Sequence, residues 1–161
     1  MCIRDSIKGF EVMGNEIQKQ MHEPIDLFCC SVGTAGALMG VSNILLKSNN
    51  NVKIVVLEPD TAAYYSKGHK GGEHHVEGIG LGFELPLLDS NNYDEARGIN
   101  EDESRNMARL LAKDEGIFAG TSTGLNVAGA LQLAREIGQG KNVVTLACDS
   151  GLKYLAGDLY L

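Results

Sequence analysis

The stretch Ser31–Gly40, SVGTAGALMG, connects an apolar run to a helix-like segment and is the part of the sequence that decides the fold. The run Asp26–Val32, DLFCCSV, lacks the polar alternation of a half-exposed strand, which indicates a strand covered on both faces. The segment Ala35–Lys47 carries apolar residues at helical spacing. The glycines between them have two interpretations. They form a tight turn, because glycine tolerates backbone angles that other residues avoid, or they form a loop whose N–H groups hold an anion at a helix N-terminus.

Outward from this stretch, strand-like and helix-like segments alternate along the chain. The predicted helices are Phe10–His22, Ala35–Lys47, a helix from an Asn100 cap to about Glu115, and Leu125–Ile137; the predicted strands are Asp26–Val32, Val52–Leu57, Glu95–Ile99, the beginning of Gly116–Gly124, and Val143–Cys148. The long segment Thr61–Asn92 is glycine-rich and predicted to be irregular, and loops of that length usually have a function. The alternation predicts an α/β fold, a mostly parallel sheet with helices on both faces.

Three polar turns each follow a predicted strand, at Gly33–Ala37, Gly120–Gly124 and Asp149–Gly151. Open parallel sheets bind ligands beyond the carboxyl ends of their strands. The three turns are therefore expected to share one edge of the sheet, which favours the anion-site interpretation of the first.

Composition limits the classes of function. The chain has 161 residues and a formal charge of −7, which argues against a nucleic-acid or anionic-membrane partner. The cysteines, Cys2, Cys29, Cys30 and Cys148, form no CxxC pair, and the last three lie in apolar runs. We interpret them as small buried thiols of a cytoplasmic protein and predict no metal site. Adjacent His74 and His75 are interpreted as part of a solvated loop, because neighbouring residues rarely bind one ion.

Five segments in order carry a resemblance to a known family: VGTAG, VVLEP, HHVEGIGLGF, EGIFAGTSTG and CDSGLKY. From about residue 8 to the end, the chain resembles the C-terminal part of the cysteine synthase and cystathionine β-synthase family, the β family (fold type II) of enzymes dependent on pyridoxal 5′-phosphate. Residues 7–161 would then be the C-terminal part of the catalytic domain. Met1–Ser6, MCIRDS, matches nothing in the family and is interpreted as a non-native or disordered leader.

The resemblance implies a role for individual residues. The loop that surrounds the cofactor phosphate would consist of Gly33, Thr34, Ala35, Gly36 and Ala37. In it Ala35 replaces a usual glycine, which matters only if its φ is positive, and Ala37 replaces a usual threonine, which removes one hydroxyl donor. Gly78, Ile79 and Gly80 would border the active-site mouth. Ser122 would face the pyridine nitrogen; from the residues alone it is a helix N-cap, and the two interpretations are compatible. Asp149 and Ser150 would line the cofactor, or they would close a strand and pack the last helix.

The catalytic lysine of the family, which forms the Schiff base with the cofactor, is missing. None of the nine lysines lies in a Ser-x-Lys-Asp-like motif, and Lys153 stands at the other end of the fold. The resemblance implies a parent enzyme, a homodimer with an amino-acid substrate, that replaces the acetate of O-acetylserine with sulfide. The alternatives are another β-elimination or β-replacement enzyme, such as a cystathionine β-synthase or a serine/threonine dehydratase, or a non-catalytic module that binds a phosphorylated ligand.

Overall fold

The computed structural model describes residues 3–161 and consists of four strands and five α-helices in this part of the chain. The helices are α1 (Ile3–Gln20), α2 (Gly36–Ser48), α3 (Tyr64–Lys67), α4 (Glu101–Asp114) and α5 (Thr121–Ile137), and the strands are β1 (Leu27–Ser31), β2 (Lys53–Pro59), β3 (Glu95–Ile99) and β4 (Val143–Val144). Short 3₁₀ turns occupy Asp60–Ala62, Ser90–Asn92 and Gly151–Tyr154.

The four strands form one parallel sheet in the order β3-β2-β1-β4. Along the chain, the sheet grows from β1 to β2 and β3, and the last strand returns to the opposite side of β1. Leu27 of β1 therefore pairs with both Lys53 of β2 and Val143 of β4. Strands β2 and β3 are added on one side of β1, and β4 is added on the other side. The reversal of strand order between β1 and β4 leaves a crevice at the carboxyl ends of these two strands.

Helices cover both faces of the sheet, which confirms the predicted fold class. Alternate residues of β1 enter two different apolar cores: Phe28 and Cys30 pack beneath α1 and α2, whereas Leu27 and Cys29 pack beneath α5. Helix α4 packs mainly against α5. This two-sided burial explains why β1 and β2 show no polar alternation in the sequence.

Several predicted boundaries were correct. Asn100 begins α4, and its side-chain oxygen accepts a hydrogen bond from the Glu103 N–H at 3.1 Å. Gly116 and Gly138 follow α4 and α5 with positive φ, the conformation that ends helices at glycine. The segment Thr61–Asn92 is irregular apart from α3 and the short 3₁₀ turns, as predicted.

Other predicted boundaries were wrong. The segment Gly116–Ala119 forms no strand, only a single bridge from Ala119 to Ser150. Strand β4 ends at Val144 instead of Cys148, and its residues are only partly buried, because β4 lies at the edge of the sheet and pairs on one side. Thr145 then uses its hydroxyl in place of the ladder, donating to the Cys29 carbonyl at 2.8 Å.

The first helix also begins earlier than predicted. Helix α1 starts at Ile3, so residues 3–6, assigned from the sequence to a leader, continue the helix. Met1 and Cys2 lie outside the described residues, and the non-native origin of the leader stays a prediction. Within the described part of the chain, no helix combines the length and the apolar character needed to cross a bilayer.

Candidate functional site

A cavity of about 370 Å³ opens at the switch point between β1 and β4. Six of the residues predicted for the site line this cleft: Gly33, Ala37, Gly78, Ile79, Ser122 and Asp149. They come from four separate segments of the chain, so the fold brings together what the sequence keeps as much as 116 residues apart. The sequence predicted that the three polar turns share one edge of the sheet, and at least one residue of each turn lines this cleft.

The loop Gly33–Ala37 leads into the N-terminus of α2, and its first and last residues line the cleft. Within residues 3–161, none of the five N–H groups from Gly33 to Ala37 donates a hydrogen bond to the protein. No side chain caps this helix end. Unpaired N–H groups and the positive end of the helix dipole together favour an anion at this position.

Ala35 adopts a left-handed conformation, with φ 67° and ψ 3°. It is the only residue other than glycine with a positive φ in the described part of the chain. The sequence indicated that the replacement of glycine by Ala35 matters only if φ is positive. The backbone does adopt a positive φ here, so alanine bears the steric cost of its Cβ.

Gly33 and Gly78 hold two loops of the site in direct contact. A Cβ atom at Gly33 would overlap the carbonyl oxygen of Gly78, so only glycine allows this approach. Gly80 lies behind the cleft, where it packs against Pro59 and His74. His74 and His75 bond to different groups, the Gly80 carbonyl and the Glu101 carboxylate.

Ser122 is the second residue of α5 and is buried. The cap position is Gly120, so the prediction that Ser122 is the N-cap was wrong, and the hydroxyl-rich segment forms the first helical turn instead of a loop. A second helix N-terminus without a side-chain cap thus borders the cleft through Ser122. Thr123 supports this end by accepting a hydrogen bond from the Cys148 N–H at 3.0 Å.

Asp149 and its neighbour Ser150 have different positions. Asp149 lines the cleft, where Oδ2 accepts hydrogen bonds from the Tyr154 hydroxyl (2.9 Å) and Lys153 Nζ (3.3 Å), and Oδ1 is buried without a partner. Burial and the bond to Asp149 raise the pKa of Tyr154 to about 12. Ser150 lies outside the cleft lining and caps the last 3₁₀ turn through Leu152. Asp149 thus faces the cleft and also contacts the C-terminal turn, whereas Ser150 contacts only the C-terminal turn.

The structure adds residues that the sequence did not indicate. Ser31 is more than nine-tenths buried and lines the cleft, and its hydroxyl has no partner in the described chain. Phe10 and Met13 of α1 form an apolar wall. Nothing in the sequence placed these two side chains beside the phosphate-loop candidate. Glu77 lines the rim, where it pairs with Lys153 at 3.1 Å.

Two cysteines also line the cleft. Cys30 is buried as predicted, but Cys148 is exposed, because β4 ends before it and leaves it on the sheet edge. The neighbouring Cys30 thiol lowers the pKa of the Cys148 thiol to about 7, and Cys148 together with burial raises the pKa of Cys30.

Comparison with known proteins identifies the family of the chain. A family model described as "Pyridoxal-phosphate dependent enzyme" matches residues 4–149. The chain belongs to this family. It is 39% identical over 148 residues to a cysteine synthase of Staphylococcus aureus, covering 91% of this chain and 47% of that protein.

Solved structures of the family share the fold. O-acetyl serine sulfhydrylase isoform 3 from Entamoeba histolytica superposes with a TM-score of 0.91 at 33% identity, covering 98% of this chain and 47% of that chain. An O-acetylserine dependent cystathionine beta-synthase from Helicobacter pylori gives a TM-score of 0.91 at 26% identity, covering 98% and 51%. The chain spans about half the length of the relatives it matches.

The residues of the cleft fit part of the family's cofactor. The unpaired N–H groups at α2 suit a phosphate, and the unpartnered oxygens of Ser31 and Asp149 suit further polar contacts. A covalent anchor does not follow from the cleft, because no lysine is among the described residues that line it.

Proposed function

We propose that this chain supplies the cofactor-facing part of a cysteine synthase-type enzyme that replaces the β-substituent of an activated serine, O-acetylserine, with sulfide. One observation carries the proposal: five unpaired N–H groups at the α2 N-terminus belong to the loop that shares a cleft with Ser122. The names of the relatives support the reaction class, because they include cysteine synthase and O-acetyl serine sulfhydrylase.

The proposed roles follow from position. Residues Gly33–Ala37 bind the cofactor phosphate through their N–H groups, assisted by the dipole of α2. Ser122 places a neutral hydroxyl against the pyridine nitrogen. When bound, pyridoxal phosphate supplies an electron sink for loss of a β-substituent, and a neutral partner keeps that sink weaker than a carboxylate would. Asp149, Gly78 and Ile79 border the cleft, while Gly80 and Ser150 support it from outside.

Two alternative functions are each supported by a different observation. Another β-replacement or β-elimination enzyme is compatible with the same cleft, since a relative is named a cystathionine beta-synthase. A non-catalytic module that binds a phosphorylated ligand is favoured by the absence of a lysine from the described cleft lining. Homodimerisation of the parent and a cytoplasmic location stay predictions. Sequence encoded upstream of residue 1 separates enzyme from module, because the enzyme requires a Ser-x-Lys motif there.

The phosphate role is tested by changing Ala37, which lines the cleft in the first turn of α2. Calorimetry measures the binding of pyridoxine 5′-phosphate, which has no aldehyde and cannot react with lysine. We expect A37D to abolish binding, because its carboxylate repels the phosphate, without weakening the helix, since an acidic residue suits a helix N-terminus. A37N is the matched neutral control and should retain binding.

The outcomes are distinct. Binding of the phosphate ester to the wild-type chain and A37N but not to A37D, with no binding of unphosphorylated pyridoxine, supports the proposal. Equal binding to A37D, or equal binding of pyridoxine, would place the ligand elsewhere and overturn it.

A further inference from the structure

The cleft contains a pair of thiols from two segments that are far apart in sequence. Cys30 lies near the end of β1, and Cys148 follows β4, which pairs with β1 in parallel through Phe28 and Val144. The Asn126 carboxamide spans the gap between the two segments. It donates to Cys148 Sγ at 3.3 Å and accepts from the N–H of Ser31, the residue after Cys30, at 2.7 Å. Both cysteines line the same cavity.

The two thiols differ in accessibility. Cys148 is exposed, whereas Cys30 is only 1% exposed, so a dissolved oxidant meets Cys148 first. The neighbouring Cys30, Ser122 and Asn126 side chains favour the thiolate of Cys148 and, against the opposing effects of burial and the Asp149 charge, lower its pKa to about 7. Exposed thiols with substantial thiolate character beside a second cysteine are the ones that oxidise reversibly.

Cys29 offers a contrast within the same strand. It is adjacent to Cys30 in sequence, but its side chain enters the opposite core, beneath α5. Burial raises its pKa to about 11, so it stays a protonated thiol. The pleat of β1 therefore presents only one of the two neighbouring cysteines to the cleft.

We propose that Cys148 and Cys30 are a peroxide-sensitive pair that closes a disulfide across the cleft, with Cys148 as the attacking thiol and Cys30 as the resolving thiol. The Cys148 thiolate attacks one oxygen of hydrogen peroxide and breaks the O–O bond, which gives a sulfenic acid and hydroxide. Cys30 then attacks the sulfenic sulfur, and the S–O bond breaks. Two thiols lose two electrons and two protons, one peroxide is reduced, and two water molecules leave.

The test uses the full chain without cofactor, so it is independent of the proposed enzymatic function. The reduced protein is treated with hydrogen peroxide, alkylated under denaturing conditions and measured by mass spectrometry. We expect a monomer that takes up two alkyl groups instead of the four of the reduced chain, and dithiothreitol treatment before alkylation should restore all four. Trypsin should release a linked pair of peptides, Gln20–Lys47 with Asn142–Lys153.

Because Gln20–Lys47 contains both Cys29 and Cys30, variants identify the partner. C29A is the matched control and should keep the link. C30A should lose it and leave Cys148 as a sulfenic acid that dimedone traps, and C148A should give neither product. A link that survives in C30A, a disulfide only between two chains, or wild-type Cys148 oxidised with Cys30 still free would each overturn the proposal. The last two outcomes need no variant to fold.

Discussion

Ala35 places a strained residue in the loop that the proposal assigns to a phosphate. A left-handed alanine costs about 1–2 kcal/mol because its Cβ crowds the following carbonyl oxygen. The sequence indicated a departure from the family loop at this residue, but it gave no way to know the sign of φ, which depends on how β1 enters α2. The residue type alone shows that Ala35 would be strained at a positive φ. Only the backbone conformation shows that φ is positive.

We expect A35G to stabilise the chain by about 1 kcal/mol, because glycine removes the left-handed strain and loses only part of the gain to its greater freedom when unfolded. Urea unfolding followed by circular dichroism measures the change. The control is A112G in the last turn of α4, where alanine has a negative φ and the same substitution should destabilise by up to about 1 kcal/mol. A35G that is less stable than wild type would show that this loop carries no strain.

At the scale of elements, strongly apolar strands were predictable and marginal ones were not. β1 and β2 are covered on both faces, so their composition alone indicates them. The residues around β4 have a similar composition, but β4 pairs with a neighbour on one side only. The number of neighbours of a strand cannot be deduced from its composition. The residues Thr121–Thr123 resemble a loop by type, yet they are buried and form the first turn of α5.

Helix α5 is joined to β3 by an ion-pair cluster centred on Arg97. Its guanidinium donates to both oxygens of Glu136 at 2.6 and 2.8 Å, and Nε donates to Glu95 at 2.9 Å. Lys53 of β2 reaches the other oxygen of Glu95 at 2.6 Å. Although burial acts to raise it, hydrogen bonds from Lys53 and Arg97 hold the pKa of Glu95 below its ordinary value.

We expect R97M to destabilise the chain by about 1–2 kcal/mol, because Glu95 stays partly buried with fewer donors. A carboxyl whose pKa is lowered by folding stabilises the protein above its unfolded pKa of about 4.3 and loses that contribution as the pH falls through the folded value. The wild type should therefore lose stability below about pH 4.3 more steeply than R97M. Urea midpoints between pH 7 and 3 measure this difference. R135M, at an exposed position of α5, should change stability by less than about 0.5 kcal/mol.

At the scale of the whole molecule, the site depends on strand order, which the sequence did not reveal. The alternation of elements predicted a parallel sheet and polar turns at its carboxyl edge. It did not predict that β4 returns beside β1, and this return is what places Ser122 and Asp149 opposite Gly33. Long-range pairing of this kind leaves no local signal in composition or periodicity.

We expect the isolated chain to associate, because β4 leaves an open strand edge and apolar side chains of the C-terminal segment are exposed. Leu152 and Leu155 are 68% and 61% exposed, and Phe118 packs beside Gly151 in the same region. Sedimentation velocity and binding of a hydrophobic dye measure this. The double variant L152K/L155E, which keeps the net charge, should reduce both signals, whereas L131K, at a separate exposed leucine of α5, should not. A wild-type monomer that binds no dye would contradict the expectation.

We also expect this chain alone to form no specific covalent bond to pyridoxal phosphate and to make no cysteine. No lysine is among the described cleft residues, and at the rim hydrogen bonds to Glu77 and Asp149 raise the pKa of Lys153 and keep it protonated. Borohydride reduction followed by peptide mapping should show only scattered adducts. A stoichiometric adduct on one lysine, together with cysteine made from O-acetylserine and sulfide, would refute this.

The pairing of β1 with β4 has a consequence for the order in which the molecule assembles. Leu27 and Val143 are partners across most of the chain, so this ladder closes the longest loop in the sheet and is entropically the slowest to form. Strands β1 to β3 with α2 can form earlier, from contacts between nearer residues. We therefore expect the cleft to be completed late in folding, and a ligand that binds only the completed cleft would stabilise the folded chain against opening.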